Sequence, residues 1–229
     1  MLLRTLLYKM TKLFTSIAEC RRSPQGECTF HKKTEVNRVI LLLIGIELFF
    51  VFIFALAGPF VSVFIREGIS GATMSVVGIA SMIFLITKST LQIPLSRIVD
   101  RTSKENSVVG ILAGGYAITA LCPLILAFSV STWQVYLAQF FCGLGSAFAY
   151  PSWNALFTHH IDKEQTAFEW SIYDTIIGFG GALATAAGGF LIDGFGFQKV
   201  FLWVGIIILL SSFLPFVFYK RFGNNHKHT

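Results

Sequence analysis

Hydrophobic and polar positions along this chain fall into long alternating blocks. After Arg38, six apolar runs follow one another, separated by short connections such as REGISGA, DRTSKEN and HHIDKEQ. Each run is long enough to cross a bilayer, since a helix needs about 20 residues to span ~30 Å of hydrocarbon. The pattern predicts an all-α membrane protein with no inserted soluble domain. The predicted spans are 39–65, 73–97, 107–128, 133–157, 167–192 and 199–219.

The residues on either side of these runs have a different pattern. Over residues 2–18, apolar residues recur at helical spacing and basic residues interrupt them. This is typical of an amphipathic helix on a membrane surface, because a signal peptide has an unbroken apolar centre. Met10 is an alternative start to Met1. The predicted organisation is a basic segment over 1–37, a six-span bundle over 38–220 and a polar tail over 221–229.

The composition strengthens the membrane assignment. Hydrophobic residues make up 54% of the chain, charged residues 13%, and the mean hydropathy is +0.69. A soluble domain carries about 25% charged residues. The formal net charge of +6 is concentrated in the terminal segments and connections, which favours anionic lipid headgroups as partners and gives no basis for nucleic-acid binding.

The distribution of basic residues predicts an orientation. Of the 18 Lys and Arg residues, 15 fall on the side of the six spans that holds both termini. Because cytoplasmic loops carry the excess of Lys and Arg, both termini are expected in the cytoplasm, with the bundle in the cell membrane.

Metal and covalent chemistry find little support in the sequence. Cys20, Cys28 and His31 provide three candidate ligands, whereas a structural zinc site usually has four. We therefore expect no metal, no cofactor and no enzymatic activity. His159 and His160 fall at the predicted cytoplasmic interface, where solvation is their expected role.

Ionisable residues inside the spans are the strongest functional signal. Glu47, Lys88 and Asp174 lie seven to nine residues from the cytoplasmic ends of spans 1, 2 and 5. At 1.5 Å per residue they sit about 10–14 Å below one surface. Charges in hydrocarbon are expensive and usually functional, so they are expected to surround one cavity for substrate or coupling ions. The alternative is that Lys88 pairs with an acid to lock helices together. Further polar candidates for the cavity are Gln92, Trp153 and Asn154.

Three stretches resemble one six-helix half of the major facilitator superfamily. SRIVDRTSKE, in the connection after span 2, keeps Asp100 and Arg101 of the family's gate loop and a later cation. LAQFFCGLGSAFAYPSW resembles the fourth helix, although Gln139 stands where the family has arginine. GFGGALATAAGGFLIDGFGF resembles the glycine-rich fifth helix, with Ala184 and Thr185 where antiporters have Gly-Pro. These departures make a drug/proton antiporter less expected.

The resemblance implies a mechanism and an assembly. Family members have twelve spans in two halves related by an axis along the membrane normal. The resemblance therefore implies one of three arrangements: two copies of this chain form a homodimer, which we favour, the chain pairs with a different six-span half, or it is a fragment of a twelve-span protein. Spans 3 and 6 would stand outside, and spans 1, 2, 4 and 5 would face the cavity. The residues implied as a cytoplasmic gate latch are Ser96, Asp100, Arg101 and Lys104.

These observations together predict a secondary transporter of a small solute that works by alternating access. The alternatives are a non-transporting membrane scaffold or partner subunit, and a half that requires a different partner. Glycines in spans 4 and 5 are expected to allow close helix packing. They are Gly143, Gly145, Gly180, Gly181, Gly188 and Gly189.

Overall fold

A bundle of long helices makes up the computed structural model, which describes residues 21–22, 28–29, 38–102, 104–163 and 165–217. The predicted surface helix over 2–18, the tail over 221–229 and the candidate ligands Cys20 and His31 lie outside the described residues. The helices are α1 (Arg38–Ala55), α2 (Val61–Gly68), α3 (Met74–Asp100), α4 (Glu105–Ala127), α5 (Thr132–His160), α6 (Thr166–Phe195) and α7 (Phe197–Ser211). Two short antiparallel strands, β1 (Arg21–Arg22) and β2 (Cys28–Thr29), precede them.

Within the residues that the structure describes, five segments are long and apolar enough to cross a membrane, which supports an integral membrane protein. They are Val39–Gly68, Met74–Asp100, Glu105–Ala127, Thr166–Phe195 and Phe197–Val217. Helix α5 is 29 residues long but is not among them, because glutamine, serine, asparagine and histidine side chains lower its hydropathy. The count of six spans therefore stays a prediction.

The first predicted span is divided in two. Helix α1 ends at Ala55, a short 3-10 turn follows at Gly58–Phe60, and α2 continues from Val61. Pro59 explains the break, because proline has no N–H and its ring clashes with the preceding helical turn. At the other end of the chain, α6 passes to α7 through Gly196 alone, whose φ of 82° suits glycine.

Helix packing is uneven around the bundle. Helix α5 packs between α3 and α4, α4 also packs on α7, and α1 packs on α6. In the most apolar stretch of α3 only 6% of the residues are buried, against 50% in α4. Large apolar side chains on the outside, such as Phe190 and Leu210, suit contact with lipid. Helix α3 thus has a long face that no described residue covers.

Candidate functional site

A cavity of about 250 Å³ opens in the middle of the bundle. Helices α1, α3, α4, α5, α6 and α7 all contribute to its wall, and α1 and α5 contribute most of it. Such a site, apolar with a few polar groups, is typical of a small-molecule pocket. The wall is formed by Glu47, Phe50, Val51, Phe54, Ala55, Lys88, Tyr116, Thr119, Ser146, Ala149, Tyr150, Trp153, Tyr173 and Ile208.

Two opposite charges reach this cavity from different helices. The Tyr116 hydroxyl donates a hydrogen bond to the Glu47 carboxylate, and the Tyr116 ring stacks on Phe50 with centroids 3.6 Å apart. The Lys88 ammonium lies 4.8 Å from the centroid of the Tyr150 ring, a cation–π contact. Among the described residues, Lys88 forms no ion pair with either Glu47 or Asp174. The contact of the Lys88 ammonium with the cavity wall is therefore to the Tyr150 ring and not to a carboxylate of the described residues.

Aromatic rings also line the cavity. Trp153 stacks on Tyr173 at 4.4 Å between centroids and on Phe157 at 4.8 Å. Trp153 is 3% exposed, and its indole N–H has no hydrogen-bond partner among the described residues. A buried donor without an acceptor is unfavourable by about 1–3 kcal/mol. A ligand that brings an oxygen to this donor would remove that penalty.

The predicted site residues separate into two groups. Glu47, Lys88 and Trp153 line the cavity. Gln92 and Asn154 are half-buried and lie near it along α3 and α5, but they are not part of its wall. Asp174 is exposed on the surface of α6, although its neighbour Tyr173 lines the cavity. Within one chain, the structure thus brings together two of the three charges.

Five polar cavity residues were not predicted from the sequence: Tyr116, Thr119, Ser146, Tyr150 and Tyr173. The resemblance implied that span 3 stands outside, yet α4 contributes Tyr116 and Thr119 to the wall. These two hydroxyls are three residues apart in a span without charge, and this spacing is the one signal that pointed to them. No local pattern connects Tyr116 with Glu47, which is 69 residues away.

The gate-loop residues lie at the end of the bundle where α3 passes to α4. Asp100 is the last residue of α3, and Asp100, Arg101 and Lys104 are all exposed. Ser96 donates a hydrogen bond from its hydroxyl to the Ile93 carbonyl oxygen, 2.8 Å away. The charged groups of this loop are therefore accessible to a partner.

The glycines selected for packing differ in their surroundings. A methyl group on Gly143 would lie 2.7 Å from the Phe84 carbonyl oxygen, and one on Gly145 would lie 2.7 Å from the Gly115 carbonyl oxygen. A methyl group on Gly188 would meet the backbone of Leu56, so these three allow close backbone approach. Gly180 faces the Leu48 side chain, whereas Gly181 and Gly189 leave ordinary contact distances of 3.9 Å and 3.5 Å.

A comparison with known protein families identifies the family to which this helical bundle belongs. The sequence model of the Major Facilitator Superfamily matches residues 42–228, which is most of the chain. This chain belongs to the Major Facilitator Superfamily. The resemblance inferred from the motifs is confirmed, and the membrane-embedded helical fold follows from it.

Curated members of the superfamily are similar to this chain at low identity. An uncharacterized transporter, YybO of Bacillus subtilis, is 24% identical over 65% of this chain and 33% of its own length. The proton-coupled antiporter flippase LtaA of Staphylococcus epidermidis is 26% identical over 55% of this chain and 32% of its own. LtaA of Staphylococcus saprophyticus is 22% identical over 58% and 33%. The chain spans about a third of the length of the curated relatives it matches.

Proposed function

We propose that this chain is half of a secondary membrane transporter, and that two copies form the working unit. The observation that carries the proposal is the cavity, which presents Glu47 and Lys88 inside an apolar bundle of the Major Facilitator Superfamily. Ionisable groups at membrane depth mark substrate and ion pathways in transporters. The names of the similar YybO and LtaA proteins support transport as the activity.

The cavity chemistry suggests the class of substrate. Lys88 would bind an anionic or strongly polar group, and the indole N–H of Trp153 would donate to an oxygen on it. The rings of Trp153, Tyr150 and Tyr173 offer flat apolar surface for the rest of the molecule. The proposed substrate is a small molecule with an acidic or oxygen-rich group on an apolar or ring-shaped body.

Glu47 is the proposed site of the coupling proton. Its carboxyl group accepts a hydrogen bond from Tyr116 and lines the cavity within reach of the substrate space. Buried carboxyl groups serve as proton relays in transporters. The similar protein LtaA is named a proton-coupled antiporter, which supports coupling to protons here.

The exposed faces of α3 and α6 support assembly with a second half. Asp174 is exposed on α6. Most of the surface of α3, the helix that carries Lys88, is not covered by other helices, and Asp100 at its end is exposed. In the proposed homodimer, Asp174 would approach the shared cavity from the interface. Asp100 and Arg101 would brace the partner's α6 when the gate is closed, since a carboxylate is stabilised near a helix N-terminus by about 0.3–1 kcal/mol.

A functional test begins with a thermal-shift screen of anionic metabolites and lipids against the purified chain, followed by uptake of any ligand into proteoliposomes. We expect Lys88→Ala to abolish binding and uptake, Asp174→Asn to abolish uptake, and Glu47→Gln to remove the dependence on a pH gradient. Glu67→Gln, an exposed carboxylate on α2, is the matched control. Normal uptake by the Lys88 and Asp174 variants would refute the assigned site. Binding without any uptake would favour the scaffold or partner-subunit alternative.

Assembly is tested by disulfide crosslinking between two differently tagged copies that lack the native cysteines. Leu85→Cys on α3 and Gly178→Cys on α6 occupy exposed positions on the faces proposed to meet. We expect them to crosslink between chains, while Leu210→Cys, on the exposed side of α7, does not pair with either. A chain that stays monomeric in native-like lipid would refute the homodimer, and crosslinking only to a different six-span protein would favour a mixed pair.

A further inference from the structure

Three potential metal ligands meet where α4 begins and α5 ends. The carboxylate of Glu105 and one ring nitrogen each of His159 and His160 all lie within 4.8 Å of one another. Glu105 is the first residue of α4, and the two histidines close α5. Because these helices pack along each other, the cluster is fixed by the fold.

The contacts of the His160 ring indicate which kind of species can lie between the side chains of this cluster. Its Nδ1 lies 2.9 Å from the Leu156 carbonyl oxygen, which can only accept, so Nδ1 carries the hydrogen. Its Nε2 lies 3.2 Å from the Glu105 Oε1 atom. A neutral imidazole in this tautomer presents a lone pair at Nε2, and the carboxylate presents lone pairs too. A positive species must therefore lie between them, either a proton or a metal ion.

We propose that Glu105, His159 and His160 bind a divalent transition-metal ion of the zinc class. Two imidazoles and one carboxylate are a frequent zinc ligand set, and such a set leaves a fourth position for water. The hydrogen bond from Nδ1 to a backbone carbonyl is the usual device that orients a metal-binding histidine. His160 is 16% exposed and Glu105 31%, while His159 is exposed, so the ion could enter from the solvent side.

The site is separate from the transport cavity, as none of its three ligands belongs to the cavity wall. It lies four residues beyond Arg101, on the first turn after the gate loop. A bound ion would join the start of α4 to the end of α5 and so hold both connections at this end of the bundle. The ion is therefore expected to stabilise the protein, with no chemistry of its own.

The test uses the purified full-length chain without a histidine tag, and zinc as the probe. Other potential ligands are removed first, in a background that carries C20S, C28S, H31A, H226A and H228A. In this background we expect one zinc ion per chain by competition with a chromophoric chelator, and a rise in the thermal midpoint with zinc. H159A, H160A and E105Q should each weaken zinc binding by at least about tenfold and remove the thermal shift. Glu67→Gln should change neither.

The exposed position of His159 keeps the test decisive if a buried variant fails to fold, because H159A removes a ligand without disturbing the core. If the background binds no zinc, a proton alone bridges the pair and the proposal is wrong. If H159A, or every folded variant, binds zinc as tightly as the background does, the proposal is equally wrong. Transport activity does not enter either measurement, so the result stands apart from the proposed function.

Discussion

The contact between α3 and α5 at Gly143 offers a quantitative test of how tightly this bundle is packed. A methyl group at this position would lie 2.7 Å from the Phe84 carbonyl oxygen, 2.9 Å from Thr87 Cβ and 3.2 Å from the Lys88 backbone nitrogen. Ordinary contact begins at 3.4 Å, so the two backbones would have to separate by about 0.7 Å. Two of the three obstacles are backbone atoms, which cannot rotate away.

We therefore expect Gly143→Ala to lower the free energy of unfolding by about 1–3 kcal/mol, the usual penalty for adding a methyl group to a well-packed core. Because Lys88 is one of the displaced residues, ligand affinity should fall as well. The measurement is unfolding in mixed micelles by titration with a denaturing detergent, followed by tryptophan fluorescence.

The matched control is Gly114→Ala on α4, where a methyl group would meet nothing within 4 Å. Replacing a helical glycine in open space by alanine stabilises a helix by about 0.5–1 kcal/mol. The two variants add the same methyl group and are expected to have opposite effects. If Gly143→Ala were as stable as Gly114→Ala, the close approach of α3 to α5 would be refuted.

Three further substitutions test individual contacts with the same unfolding measurement. Tyr116→Phe removes the one described donor to Glu47 and should lower stability by about 1–3 kcal/mol, whereas Tyr136→Phe, whose hydroxyl has no described partner, should change little. Gln134→Ala removes the side-chain oxygen that accepts hydrogen bonds from two backbone N–H groups at the start of α5, and it should lower stability by about 0.5–2 kcal/mol. Its control, Gln134→Glu, keeps an acceptor and should be tolerated. Lys88→Met should stay within about 1 kcal/mol of the parent while losing ligand binding, since its contact is a cation–π pair. A larger loss would favour a helix-locking role.

Hydropathy was sufficient to predict most helices, because the need to cover about 30 Å of hydrocarbon leaves a long apolar signal. The second predicted span, 73–97, corresponds to α3 at Met74–Asp100, and the fifth, 167–192, to α6 at Thr166–Phe195. The differences lie at the ends, where polar residues continue a helix beyond its apolar stretch. The break in the first span was not predicted, although Gly58 and Pro59 are a helix-breaking pair in the sequence.

The cavity could be predicted only in part, because counting residues gives depth and not rotation. Glu47, Lys88 and Asp174 were placed at one depth, but successive residues of a helix point about 100° apart. Tyr173 therefore lines the cavity while Asp174 lies on the exposed side of α6. The tyrosines of the wall carry no charge, and their role depends on contacts between helices far apart in the sequence.

The break at Gly58–Phe60 has a mechanical consequence for this bundle. Beyond it, Phe64 of α2 packs on Phe197 and Phe201 of α7, with ring centroids 5.7 Å and 5.1 Å apart. Before it, α1 follows α6, and the Thr185 hydroxyl donates to the Ala55 carbonyl oxygen at the last turn of α1. The first piece thus packs mainly on α6, with a smaller contact to α7, whereas the aromatic contacts of the second piece are with α7. If α1 tilted together with α6, the backbone at Gly58–Phe60 would bend as a hinge, and α2 would keep its contacts with α7.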